Sequence, residues 1–91
     1  MQLRWTEEAV ADLSRIADYL FEERPAYAPR ILQAIYDAPS SLLTFPERGR
    51  PGRKSGTREL VLPSSPYLIV YVVANEAIHV VRILHGAQKW P

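Results

Sequence analysis

The sequence predicts a single α+β domain in which a helical hairpin packs on a small, mainly antiparallel sheet, in the order β-α-α-β-β-β. Apolar residues recur at helical spacing in the first half, and runs rich in β-branched residues fill the second half. Glycine and proline are concentrated between the halves. This segregation of helices from strands is typical of α+β folds, and 91 residues suit one domain spanning residues 1–91.

The chain opens with a predicted strand at Gln2–Trp5, because Leu3 and Trp5 share one face of an extended segment. Thr6 is the predicted N-cap of a helix that runs to about Glu23. The predicted apolar stripe of this helix is Ala9, Val10, Leu13, Ile16, Ala17 and Leu20. The carboxylates expected to form a solvated helix face are Glu7, Glu8, Asp12, Asp18, Glu22 and Glu23.

A second helix is predicted from the apolar positions Ile31, Leu32, Ile35, Leu42 and Leu43. Pro29 suits its first turn, where a missing N–H costs little. Pro39 is expected to damage the helix near Ala38, since an interior proline removes a hydrogen bond and clashes with the preceding turn. The pattern leaves open whether these prolines kink or end the helix.

Residues 45–56 are predicted to form a loop, because they hold three of the four glycines and two prolines. Three strands are predicted after it, at Thr57–Leu62, Tyr67–Ala74 and Ala77–Leu84. The middle one, YLIVYVVA, is almost wholly apolar, which is typical of a central strand buried on both faces. Residues 63–66 and 75–76 are the expected turns.

The net charge of +1 hides an uneven distribution. Residues 1–47 carry four arginines and eight acidic residues, a balance of −4, whereas residues 48–91 carry seven basic and two acidic residues, a balance of +5. Such an uneven charge distribution indicates the kind of binding partner more than it indicates the fold. The basic half is expected to face nucleic acid or an acidic protein segment.

Several function classes are disfavoured by composition. The chain has no cysteine, which favours a reducing, cytoplasmic location, and no apolar run near the ~20 residues of a membrane span. Its two histidines, His79 and His85, would lie roughly 20 Å apart on a continuous strand. We therefore expect no metal site, no cofactor and no membrane partner.

Four blocks of the sequence, in order, resemble the RelE/ParE superfamily of toxins. They are residues 5–9 with Asp12, Leu13 and Ile16, residues 45–50 with 56–60, residues 66–71, and residues 81–86 with Trp90. The resemblance implies the toxin half of a type II toxin–antitoxin module, held by a cognate antitoxin in a hetero-oligomer. It also implies one of two activities, since ParE-like toxins poison DNA gyrase and RelE-like toxins cut messenger RNA on the ribosome.

Under the RelE-like alternative, the candidate catalytic residues are His85, Arg82 and Arg58. Histidine is the residue type suited to acid–base chemistry at neutral pH, and the arginines could clamp a phosphate, assisted by Lys54 and Lys89. The resemblance also leads us to expect a tyrosine near the C-terminus, but none follows Tyr71. The structural alternative for His85 is a strand-end residue that hydrogen-bonds the tail.

The ParE-like alternative needs binding alone, and the ending HG-x-x-x-W resembles this branch more closely. We therefore favour a gyrase inhibitor over a ribosome-dependent nuclease; a non-toxic antitoxin-binding protein is a further alternative. The candidate residues for binding target or antitoxin are Arg53, Lys54, Arg58, Arg82, His85, Lys89 and Trp90. The structural alternative for the loop arginines is pairing with the acidic helices, with Arg50 bonding helix C-terminal carbonyls. For Trp90 it is packing against the sheet edge.

Overall fold

The computed structural model describes residues 1–91 and confirms the predicted order of elements, with one short strand added. The helices are α1 (Glu7–Glu23), α2 (Ala28–Asp37) and a 3₁₀ helix (Ala38–Leu43). The strands are β1 (Gln2–Trp5), β2 (Arg50–Pro51), β3 (Arg58–Val61), β4 (Tyr67–Ala74) and β5 (Ala77–His85). None of these helices combines the length and the apolar character that a membrane span requires.

The five strands form one sheet in the order β1-β5-β4-β3-β2. β1 runs parallel to β5, and every other neighbouring pair is antiparallel, which confirms a mainly antiparallel sheet. β4 is central, and its first five residues are buried, as the apolar run predicted. A bulge in β5 next to Val70 and Tyr71 interrupts the register with β4.

Helix α1 begins as predicted, because the Thr6 Oγ1 accepts the Ala9 N–H at 3.1 Å. Ala9 and Leu20 are buried against the sheet. The inclusion of Val10 in the apolar stripe was wrong, since its side chain is exposed. Val10 follows Ala9 by about 100° around the helix, which turns it from the sheet towards solvent.

The two prolines of the second helical segment act differently. Pro29 lies in the first turn of α2, where it costs little. Pro39 lies at the start of the 3₁₀ helix and marks the end of α2 at Asp37. The predicted damage near Ala38 is therefore a split into two helices.

Strand β2 was missed and lies inside the predicted loop. Arg50 pairs with Glu59, and Pro51 pairs with Arg58. Two residues are too few to show a period of two, and proline argues against a strand except at an edge, where β2 lies.

The sheet carries apolar residues on both faces. The helices cover the larger core, which includes Ile69, Tyr71 and Ile78. The opposite face, here called the open face, carries a small cluster formed by Leu68, Val70, Val81, Leu84 and Trp90. Trp90 of the C-terminal tail packs against this cluster.

A buried ion pair joins α1 to β5. Asp12 accepts hydrogen bonds from the Arg82 Nε at 2.7 Å and from the Ile83 N–H at 2.9 Å, and it also pairs with Arg15. The placement of Asp12 on a solvated helix face was therefore wrong. β1 ends at Trp5, so no strand pairs with this edge of β5 beyond Val80. The Asp12 carboxylate instead accepts the Ile83 N–H that a neighbouring strand would otherwise bind.

Replacing the buried carboxylate tests this role. We expect Asp12→Asn to lower the free energy of unfolding by about 3 kcal/mol, because Arg82, whose side chain is only 20% exposed, loses its counter-ion. Urea denaturation at neutral pH measures the change. Asp18→Asn, an exposed carboxylate of the same helix, should stay within about 0.5 kcal/mol of wild type. Equal losses in both variants would contradict the role given to Asp12.

Candidate binding surface of the loop, open face and tail

The basic loop is fixed to the sheet by a buried carboxylate on β3. Glu59 accepts hydrogen bonds from the Arg50 Nη2 at 3.0 Å and from the Arg53 N–H at 3.0 Å. The Arg53 Nε lies 3.4 Å from the second carboxylate oxygen. The structural alternative in which these arginines pair with the acidic helices was wrong, because Glu59 of the sheet is the anion that they bind. The alternative in which Arg50 bonds helix carbonyls was wrong for the same reason.

These contacts also shift the ionisation of Glu59. Burial by itself would raise the pKa of the carboxyl group. The hydrogen bonds from the Arg53 N–H and the Arg50 side chain, together with the charges of both guanidinium groups, outweigh burial and lower the pKa below its usual value. Glu59 is therefore a carboxylate at neutral pH and holds the loop by charge-assisted hydrogen bonds.

The start of the loop is held by Tyr71 on β4. The buried Tyr71 hydroxyl donates to the Pro46 carbonyl at 2.6 Å and accepts the Gly49 N–H at 2.9 Å. A Cβ on Gly49 would lie 2.6 Å from the Tyr71 ring, so no larger residue fits here without movement. The Arg58 Nη1 donates to the Gly49 carbonyl at 2.5 Å. This candidate binding residue therefore also helps to hold the loop in place.

The end of the loop holds the C-terminal tail over the open face. The Arg53 Nη1 donates to the Gln88 carbonyl at 2.9 Å. The Lys54 Nζ lies 6.0 Å from the centre of the Trp90 ring, within the range of a cation–π contact. Trp90 is half-buried and packs on the open-face cluster. The same ring therefore contacts both apolar residues of the sheet and the Lys54 cation.

His85 lies at the end of β5 and bonds the tail. Its Nδ1 accepts the Ala87 N–H at 3.1 Å, so the neutral ring carries its proton on Nε2. The Tyr67 ring meets the imidazole edge-on, with 5.8 Å between the ring centres. This geometry matches the structural alternative stated for His85, although its side chain remains exposed.

The three candidate nuclease residues line different hollows. Arg82 lines an open-face hollow of about 420 Å³ with Lys54, Trp90 and the acidic Glu8. His85 lines a different groove, beside the helical hairpin, and Arg58 lines a third hollow near the start of the loop. Arg82 is also bound to Asp12, whose hydrogen bond raises the pKa of the guanidinium group. Lys89 is exposed beside Trp90 and forms no ion pair.

The groove beside His85 was missed by sequence reasoning. Its volume is about 670 Å³, and its lining includes Tyr19, Arg24, Arg30, Tyr67 and His85. Burial, aided by the neighbouring Tyr19, raises the pKa of the Tyr67 phenol. Neither arginine has an ion-pair partner, so the groove can accept an anion. The one available sequence signal was two arginines flanking the turn between the helices in an otherwise acidic half.

Comparisons with known proteins agree on one family. The family model of the ParE toxin of the type II toxin–antitoxin system parDE matches residues 3–90. The chain is also similar to toxin RelE2 of Caulobacter vibrioides, with 40% identity over 87 residues that cover 96% of this chain and 97% of that protein.

Solved structures give the same fold. The chain is similar to one chain of the chromosomal ParDE toxin–antitoxin system from P. aeruginosa, with a TM-score of 0.84 and 31% identity, covering 93% of this chain and 95% of that one. It also shares its fold with a chain of the RelBE2 toxin–antitoxin complex from Mycobacterium tuberculosis, with a TM-score of 0.56 and 21% identity over 92% and 95% of the two chains.

The lowered pKa of Glu59 makes stability depend on pH. The group stabilises the fold above its unfolded value of about 4.5, and this contribution is lost as pH falls through the lower folded value. We expect the free energy of unfolding, measured with urea at pH 7 and pH 3, to fall less over this interval in Glu59→Gln than in wild type. An identical decrease in both proteins would contradict this linkage.

Proposed function

Because the chain belongs to the ParE toxin family of type II toxin–antitoxin modules, we propose that it inhibits DNA gyrase by binding and that a cognate antitoxin neutralises it. The observation that carries this proposal is the arrangement of the open face. Trp90, Lys54 and Lys89 are presented there on a loop and tail fixed to the sheet, while the three nuclease candidates named from the sequence line different hollows.

Cleavage of RNA without a metal needs an acid, a base and cations around one phosphate. Asp12 binds Arg82, and Arg58 lines a hollow that contains neither Arg82 nor His85. His85 lines hollows different from those of the two arginines, although one of its grooves also contains Asp12, the partner of Arg82. Binding places no such demand on geometry, which supports a ParE-like mode of action.

The open face has the composition of a protein-binding surface. Tryptophan is enriched among the residues that dominate binding energy, and Trp90 packs against the apolar cluster of this surface. The Arg53–Gln88 hydrogen bond and the Lys54–Trp90 contact order the tail before any partner arrives, which lowers the entropy cost of binding. The exposed Lys89 adds positive charge at the rim, where charge speeds association with an acidic surface.

An antitoxin partner is supported by the neighbours with this fold. The two solved structures described above are toxin–antitoxin systems, in which the chain of this fold is one component. We therefore propose that this chain too forms a hetero-oligomer with an antitoxin.

One observation favours a ribosome-dependent nuclease as the second candidate. The tyrosine missing from the C-terminal sequence is supplied in space by Tyr67, whose ring contacts His85 next to the unpaired Arg24 and Arg30. The similar protein from Caulobacter vibrioides is also named a RelE toxin. His85 is the residue on which this candidate depends.

Gyrase inhibition is tested with purified chain in a supercoiling assay. We expect wild type to block supercoiling or trap cleaved DNA, and Trp90→Ala and Lys89→Ala to weaken inhibition by about tenfold or more, because each removes part of the open face. Lys89→Ala alters an exposed side chain only, so its loss of activity is not a loss of fold. Arg30→Ala, which removes an exposed cation of α2 on the helix-covered side of the sheet, is the matched control and should inhibit like wild type.

The alternatives give different results. No effect of wild type on gyrase at large excess contradicts the proposal. Cleavage of ribosome-bound messenger RNA that His85→Ala abolishes would establish the nuclease instead. If expression without antitoxin leaves growth untouched, the chain is a non-toxic antitoxin-binding protein.

A further inference from the structure

Phe45 is the most exposed large apolar residue of the chain, with 63% of its surface accessible. Together with Val73, which is 43% exposed, it lines a hollow of about 720 Å³. We call this feature the Phe45 hollow; its lining is Thr44, Phe45, Pro46, Glu47, Arg48, Arg58 and Val73. A large apolar surface exposed at one place marks a site of interaction more often than an isolated exposed residue does.

The backbone that carries Phe45 is held on both sides. The Phe45 N–H donates to the Ser41 carbonyl at 3.0 Å, and its own carbonyl accepts the Arg48 N–H at 3.1 Å. The next carbonyl, that of Pro46, accepts the hydroxyl of the buried Tyr71. An aromatic ring on a fixed backbone loses little conformational entropy on binding, which is the property of an anchor residue at a protein interface.

The Phe45 hollow and the open face lie on opposite sides of the sheet. Successive residues of a strand point to opposite faces, so Val72 and Val73 of β4 belong to different surfaces. Val72 lines the open-face hollow with Trp90, and Val73 lines the Phe45 hollow. One partner can therefore occupy each surface without displacing the other.

The charges at the rim of the Phe45 hollow favour a protein over a nucleic acid. Arg48 and Arg58 supply two positive charges against the single acid Glu47. The Arg48 guanidinium donates to the Ser41 Oγ, and the Arg58 Nη1 donates to the Gly49 carbonyl and, at 3.5 Å, to the Glu47 carbonyl. Both groups keep further donors free. That suits one or two carboxylates, whereas a nucleic-acid backbone requires several free cations along its length.

We propose that the Phe45 hollow is a docking surface for the antitoxin, separate from the surface that meets the target. The antitoxin places an apolar side chain against Phe45 and Val73 and a carboxylate against Arg48 or Arg58. The proposal depends on the proposed function in one respect, which is that the target uses the open face. Neutralisation then does not require the antitoxin to compete for Trp90.

The test is the affinity of purified antitoxin for variants of the full chain, measured by isothermal titration calorimetry. We expect Phe45→Ala and Val73→Asp to raise the Kd by about tenfold or more, because each removes apolar contact at the centre of the surface. Phe21→Ala is the matched control, since Phe21 is 54% exposed and lies on α1. It should change the Kd by less than about twofold, and thermal denaturation should show that all three variants are folded.

Gyrase inhibition by the same variants separates this proposal from the proposed function. Phe45→Ala should inhibit supercoiling like wild type and resist neutralisation by antitoxin. If wild type leaves gyrase active, the proposed function fails, but the affinity of Phe45→Ala for antitoxin still decides this proposal.

Three results would overturn the proposal. The first is wild-type antitoxin affinity in both Phe45→Ala and Val73→Asp. The second is an equal loss of affinity in Phe21→Ala. The third is binding of a single-stranded RNA oligonucleotide that Phe45→Ala abolishes, which would assign the hollow to nucleic acid.

Discussion

The buried carboxylate of Glu59 is the interaction on which the surface of this protein depends. It binds the Arg50 side chain and both the backbone and side chain of Arg53, and so fixes the basic loop on the edge of the sheet. Arg53 in turn holds the Gln88 carbonyl, and the adjacent Lys54 lies over Trp90. A single charge inside the sheet thus orders the tail that covers the open face. A buried charge tolerates this role only because several donors satisfy it.

Only part of the excess positive charge in the second half of the chain is available to binding partners. Arg50, Arg53 and Arg82 are engaged by Glu59 and Asp12, so much of the basic charge serves the fold. The cations left for partners are fewer and more dispersed, with Lys54 and Lys89 near the open face. This distribution fits contact with an acidic protein surface better than tracking along a nucleic-acid backbone, which needs a continuous row of free cations.

Local patterns were sufficient for most of the fold and for little of the site. The Thr6 cap, the break at Pro39 and the central strand β4 follow from residues close together in sequence, and the structure confirms them. The burial of Asp12 and Glu59 was not predictable in this way, because each is stabilised by partners on other elements. The contact of Tyr67 with His85 likewise arises from strand pairing, which places distant residues side by side. Charge and hydropathy report the average environment of a residue type, and these three sites depart from that average.

Two anchors, and not one, hold the loop that joins the proposed binding surfaces. Tyr71 fixes the start of the loop, beside Phe45, and Glu59 fixes its end, beside Lys54. Both anchors are buried in a sheet whose packed interior resists small displacements. A displacement of the tail at the open face would therefore have to disturb the contacts of Glu59 before it could be transmitted to Phe45. This separation is the physical reason for expecting the two surfaces to bind independently, since energetic coupling between sites requires an element with two alternative arrangements.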